Sequence, residues 1–170
     1  TISPGVSCKA ELIFITNGAQ SAFDLLSRLL IDPGDSVRMD EPGYYGAGAA
    51  VLAAGAKLSP LKVSDKGWDL EPPPTPPRLI FVTPSCHHPL GTTMPMEQRL
   101  NLIRLAEKWN AWIIEDDYDS EYRFQGHPIP ALQGISAAKR VVYVGTLAKI
   151  LFPAMRIRFL LIPGSLREGL

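Results

Sequence analysis

AWIIEDDYDSEYRF, residues 111–124, decides the fold. It opens on an apolar run, Ala111-Trp112-Ile113-Ile114, and then places five carboxylates within seven residues: Glu115, Asp116, Asp117, Asp119 and Glu121. A short apolar run that breaks into polar residues reads as a buried parallel strand reaching its C-terminal end. Open α/β sheets put their ligand sites at that end. Carboxylates bunched there repel one another unless something cationic sits among them. The candidates are a metal, a basic side chain or the protonated ring nitrogen of a bound cofactor.

Working outward, the same pattern recurs. Arg78–Val82, Arg140–Val144 and Glu11–Thr16 read as buried strands, Lys57–Val63 and Phe159–Ile162 as strands, and Ser36–Met39 as a short one. Between them lie helical patterns: one carrying Ala22, Leu25, Leu26, Leu29 and Leu30, an Ala-rich helix over 47–54 that ends at Gly55, and an amphipathic one over Met96–Trp109. In the last, Leu100, Ile103, Leu105 and Ala106 are read as the apolar side, and Glu97, Arg99, Arg104, Glu107 and Lys108 as the wet side. Trp68–Pro77 holds five prolines and is read as a surface connector. Alternating strands and helices predict a three-layer α/β/α domain with a mostly parallel mixed sheet.

Composition sets the class. The chain has 170 residues, 46% of them apolar, with 17 basic residues balancing 17 acidic ones. Net charge therefore gives no argument for nucleic acid or an anionic membrane. No apolar run is long enough to cross a bilayer. Cys8 and Cys86 are too far apart to suggest a disulfide or zinc framework, which favours a reducing, cytoplasmic setting. His87 and His88 invite a metal reading, but adjacent residues seldom reach one metal and no third ligand is near, so no metal is expected. There is no initiator Met, and a helix begins near Ser165 just before the end. The chain is therefore expected to be the central part of a larger domain.

The polar loops after the strands carry the chemistry: Asn17–Ser21, Glu41–Tyr45, Pro84–Gly91, Glu115–Tyr118 and Thr146–Lys149. The turn Asn17-Gly18-Ala19-Gln20-Ser21 leads from strand to helix, a geometry that aims free N–H groups at an anion; a locally capped helix start is the plainer alternative. Tyr44 or Tyr45 could stack on a flat ligand or pack on the Ala-rich helix. Lys149, partly desolvated behind a buried strand, suits Schiff-base formation; taken alone it would be a solvated or salt-bridged lysine. An Asp at a neighbouring strand end suits a pyridinium nitrogen, and Arg156 suits a phosphate. One cofactor, pyridoxal 5'-phosphate, answers the cation, the anion site and the lysine together.

Several runs carry a resemblance. They are Gly18-Ala19-Gln20, Asp32-Pro33-Gly34-Asp35, Glu41-Pro42-Gly43-Tyr44, Thr83-Pro84-Ser85 with Pro89 and Gly91, Ile113 to Glu121, and Gly145-Thr146 with Lys149, Phe152-Pro153 and Arg156. They resemble the large domain of fold-type I, pyridoxal-phosphate-dependent aminotransferases, and in particular the aminotransferase-like domain of MocR-type regulators in the GntR superfamily. The resemblance implies Lys149 as the cofactor's Schiff-base lysine, Asp116 on the pyridine nitrogen and Tyr118 on the ring's phenolic oxygen. It implies phosphate contacts from Gly18, Ala19, Gln20, Thr146 and Arg156, ring stacking by Tyr44, and His88 in the cofactor pocket. It further implies a homodimer, a small amino compound or amino acid as ligand, and DNA contact only through an N-terminal winged helix-turn-helix outside this chain, with a small C-terminal domain also outside it.

The chain departs from that pattern in places. Ala148 replaces the usual Ser before the lysine, Cys86-His87-His88 replaces a His-Gln-aromatic run, and Leu90 replaces a Thr. Arg158 and Phe159 stand where Gly-Tyr is typical, and Arg158 is expected either to face solvent or to crowd the site. Three functions follow: a ligand-sensing regulator domain that binds the cofactor with little turnover, a free-standing aminotransferase, or a relative that has lost the site.

Overall fold

The computed structural model describes Val6 and residues 9–118, 129–135, 139–146 and 156–169. Its strands are β1 (Ile13–Asn17), β2 (Ser36–Glu41), β3 (Lys57–Ser64), β4 (Gly67–Trp68), β5 (Leu79–Val82), β6 (Trp112–Asp116), β7 (Val141–Thr146) and β8 (Ile157–Leu161). Its α-helices are α1 (Gly18–Leu30), α2 (Tyr45–Ala53) and α3 (Met96–Trp109). The strands form one sheet in the order β1-β8-β7-β6-β5-β2-β3-β4. The central run from β7 through β6, β5 and β2 to β3 is parallel, while β8 is antiparallel to both β7 and β1, and β4 is antiparallel to β3. The expected mixed, mostly parallel sheet is thus observed.

Strand alternation splits the core in two. Ile114, Val142, Val144, Phe81 and Met39 pack with Phe23 and Leu26 of α1 and Ala47 and Val51 of α2. Ile113, Val141, Ile80 and Val82 face the other way, onto Leu102, Ile103 and Ala106 of α3. The five-residue strand β6 is buried throughout, including its two carboxylates.

Four readings need correction. The first strand begins at Ile13 and is an edge strand, with Ile15 62% exposed, because only β8 pairs with it. The connector starts later than expected, since Gly67 and Trp68 turn back to pair with Ser64 and Val63. The segment after Pro163 is a 3-10 helix, Gly164–Gly169. On α3, Arg99 is fully buried and Leu100 is 43% exposed, the reverse of their expected faces.

Candidate functional site

The parallel strands β6 and β7, together with β1, end on one edge of the sheet, where β8 begins. That edge brings α1, Asp116, Thr146, Arg156 and Arg158 together. Helix α1 starts directly at Gly18, whose φ of +85° a side chain would strain. Its N-cap, Asn17, makes no side-chain capping bond, so the first N–H groups of the helix are left to another acceptor. Register sets Asn17 against Ile157, which brings Arg156 to the helix start. A Cβ added at Gly18 would lie 3.8 Å from Arg156 Nε and 3.9 Å from its Nη2. A guanidinium over an uncapped helix N-terminus is a donor set for an anion of phosphate type.

Ala19 and Gln20 follow in the first turn. The Gln20 side chain donates to Gly46 O at 2.9 Å and ties α1 to α2, so its backbone N–H is what it keeps for a ligand. Tyr44 caps α2, 6.1 Å from Phe23 between ring centroids and 42% exposed; Tyr45 is 93% exposed. An open groove of about 830 Å³ runs beside them, lined by Glu41, Pro42, Tyr44, Tyr45, Leu58 and His88. His88 is therefore beside Tyr44, on the rim of the same region.

The acidic strand end resolves into separate pairs. Asp116 lies on the α1 face, and Arg158 Nη1 donates to its Oδ1 at 2.8 Å. Burial pushes the Asp116 carboxyl up to about 6; the Arg158 guanidinium pulls it down and the Asp117 charge pushes it up. Glu115 faces α3, where it accepts from the N–H groups of Leu132 at 2.8 Å and Gln133 at 3.0 Å. Arg99 stands 3.7 Å away. Burial raises Glu115 to about 7 against those donors. Asp117 accepts the Tyr143 hydroxyl at 2.7 Å. The cations at this end are basic side chains, and among the described residues no group of three or more His, Cys, Asp and Glu is placed to hold a metal.

A further buried cluster went unread in the sequence. Asp40, at the end of β2, accepts Trp68 Nε1 at 2.7 Å, Thr83 N at 2.8 Å and Thr83 Oγ1 at 2.9 Å. It spans the point where strand order reverses between β2 and β5, where ligand sites of open sheets fall. Burial raises Asp40 to about 7. His87, 1% exposed, packs edge-on against Trp68 at 5.4 Å, and burial pushes its imidazole down, so it is a neutral neighbour of Asp40. No motif signals this cluster, because its members lie on three separate segments, β2, β4 and the loop after β5.

Of the expected site residues, Gly18, Ala19, Gln20, Arg156, Asp116 and Thr146 share the sheet edge. Tyr44 and His88 share the adjoining groove. Tyr118, half-buried, follows two positions after Asp116. Lys149 and Ala148 lie outside the described residues.

This fold and site define an aminotransferase-type domain. Residues 2–163 match the family model for aminotransferase class I and II, and the chain belongs to that family. It is 55% identical over 168 residues to the probable rhizopine catabolism regulatory protein MocR of Rhizobium meliloti, covering 98% of this chain and 34% of that protein. It is 30% identical over 155 residues to aromatic-amino-acid aminotransferase 1 of Thermococcus litoralis, covering 85% of this chain and 37% of that one. The crystal structure of Pyrococcus horikoshii kynurenine aminotransferase in complex with PMP superposes with a TM-score of 0.83 at 29% identity, over 92% of this chain and 42% of that one. The chain spans about a third of the length of the curated relatives it matches. Among the described residues no helix is long and apolar enough to cross a membrane.

Proposed function

We propose that the chain is the pyridoxal-phosphate-binding, aminotransferase-like effector domain of a transcription regulator, which senses the cofactor or an amino compound through Lys149. The observation that carries the cofactor reading is the meeting of an uncapped helix start, the Arg156 guanidinium and the buried Asp116 carboxylate on one sheet edge. These supply an anion cradle and an anionic partner for a ring nitrogen, which is the donor set pyridoxal phosphate requires. When bound, the cofactor supplies an electron-withdrawing ring and an aldehyde for an amine. Arg156 and the N–H groups of Gly18, Ala19 and Gln20 hold the phosphate, with Thr146 beside them. Asp116 would face the ring nitrogen, Tyr118 the phenolic oxygen, and Tyr44 one ring face with His88 at its rim. The 55% identity to a regulator, against 30% to an aminotransferase, supports the sensing role.

In the whole protein, DNA contact belongs to a winged helix-turn-helix preceding this domain, a small domain follows it, and two copies associate, in the cytoplasm. The reading has a direct test. Intact protein mixed with pyridoxal phosphate develops a visible absorbance band, and borohydride fixes the cofactor. Peptide mapping then finds it on Lys149; an adduct on another lysine overturns the assignment. A panel of amino acids and amines should convert the bound cofactor to its amine form far more slowly than about 1 s⁻¹, an ordinary enzyme rate. Faster conversion favours the free-standing aminotransferase.

A further inference from the structure

Strand β8, Ile157-Arg158-Phe159-Leu160-Leu161, is apolar apart from one residue. Arg158 stands opposite Thr16 on one neighbour and Thr146 on the other. Val144 is the register partner of both Leu160 and Asp116, so Arg158, two residues from Leu160, projects on the face that Asp116 occupies. Its guanidinium crosses β7 diagonally to reach Asp116 Oδ1 at 2.8 Å. The Arg158 side chain is 16% exposed and that of Asp116 6%, so this pair is not screened as a surface pair would be. Among the described residues no other donor bonds the Asp116 carboxylate.

We propose that Arg158 is a competing cation at Asp116: it takes one carboxylate oxygen and leaves the cofactor's ring nitrogen a weakened anionic partner, so that the site holds the cofactor without making its ring a strong electron sink. The inference rests on the reading that Lys149 and Asp116 hold pyridoxal phosphate. A carboxylate keeps a proton on a ring nitrogen through its negative charge. With a guanidinium already bonded to it, the pair presents close to zero net charge, and the proton affinity of the nitrogen falls. The other charges nearby do not replace the lost one. Asp117 is turned to Tyr143 on the opposite face, Asp40 is enclosed by Trp68 and Thr83, and Arg156 lies on the phosphate side. A chain with glycine at 158 would leave Asp116 to the ring alone. Arg158 is a positioning residue in this sense, acting on the cofactor through Asp116. It lets one fold serve binding while restraining turnover.

The experiment uses intact protein loaded with pyridoxal phosphate carrying 15N in the ring, and reads the ring-nitrogen chemical shift from pH 5.5 to 9. In the unsubstituted protein the nitrogen should be largely unprotonated at pH 7.5. Arg158→Gln should raise its titration midpoint by at least about one pH unit, tenfold in proton affinity, and raise the rate of conversion with amino acids at least tenfold. Arg158→Lys, which keeps the charge, should stay close to the unsubstituted protein. A ring nitrogen protonated at pH 7.5 without any substitution overturns the proposal, and that measurement stands even if Arg158→Gln fails to fold. An unshifted midpoint in a folded Arg158→Gln overturns it too. If no cofactor attaches to Lys149, the parent reading falls and takes this one with it; cofactor on Lys149 with a protonated ring removes this one alone.

Discussion

Asp116 and Asp117 are adjacent in the chain and serve opposite faces of the sheet. Asp116 meets Arg158 on the α1 side, while Asp117 takes the Tyr143 hydroxyl on the other. The two carboxylates should therefore separate under substitution. Asp117→Asn keeps an acceptor oxygen for Tyr143 and should cost about 1 kcal/mol of stability, the size of one altered hydrogen bond. It should leave the absorbance of bound pyridoxal phosphate unchanged. Asp116→Asn should still allow the cofactor onto Lys149 but alter its absorbance and slow proton removal from a bound amino acid. Spectra of the two variants, recorded with and without an amino acid, decide; a change confined to Asp117→Asn would mean that the faces have been assigned the wrong way round. Sequence alone could place a carboxylate at this strand end, because the apolar run and its polar break are local. The partner was not legible, since Arg158 reaches Asp116 only through a register that skips over β7.

Helix α3 shows how chemistry can mislead where periodicity does not. Its buried residues are Arg99, Leu102, Ile103 and Ala106, a spacing of three, one and three that is a helical stripe. The stripe was written in the sequence, yet a charge at its first position argued for water. Arg99 is buried because its planar fork meets fixed acceptors: Nε donates to Met94 O at 3.0 Å, Nη1 to Pro130 O at 3.0 Å and Nη2 to Pro84 O at 2.8 Å. It thereby pins the loop after β5 and the segment before Leu132 to the helix, and stands beside Glu115. Arg99→Met removes those bonds and leaves Glu115 buried without its cation, so the loss should be about 3–5 kcal/mol. Arg99→Lys should recover only part of it, because an ammonium cannot match the three directions of the fork. Urea midpoints of the two variants measure this; equal midpoints for Arg99→Met and the unsubstituted protein would refute it. The strands and α3 itself were legible to within a few residues. The β4 turn was not, because two residues carry no periodicity.

Across the whole molecule, three carboxyls are buried along the C-terminal edge of the sheet with raised pKa values: Asp40 and Glu115 at about 7 and Asp116 at about 6. In the unfolded chain such groups titrate near 4. Between about pH 4 and pH 7 the folded state therefore keeps protons that the unfolded state has released. The sign follows from linkage: where the folded state binds more protons, stability falls as pH rises. Each group contributes a slope of up to about 1.4 kcal/mol per pH unit within its own window. The stabilisation is full below the unfolded values and is lost as pH passes the folded ones, first at Asp116 and then at Asp40 and Glu115. Intact protein free of cofactor should accordingly show a urea midpoint that falls from pH 5 to pH 7.5 and levels above pH 8. Glu115→Gln removes one titrating group and should flatten the fall between pH 5 and pH 7, at the expense of one of the bonds from Leu132 and Gln133. A midpoint that rises over the same range would mean that these carboxylates gain more from Arg99, Arg158 and the N–H donors around them than they lose on burial.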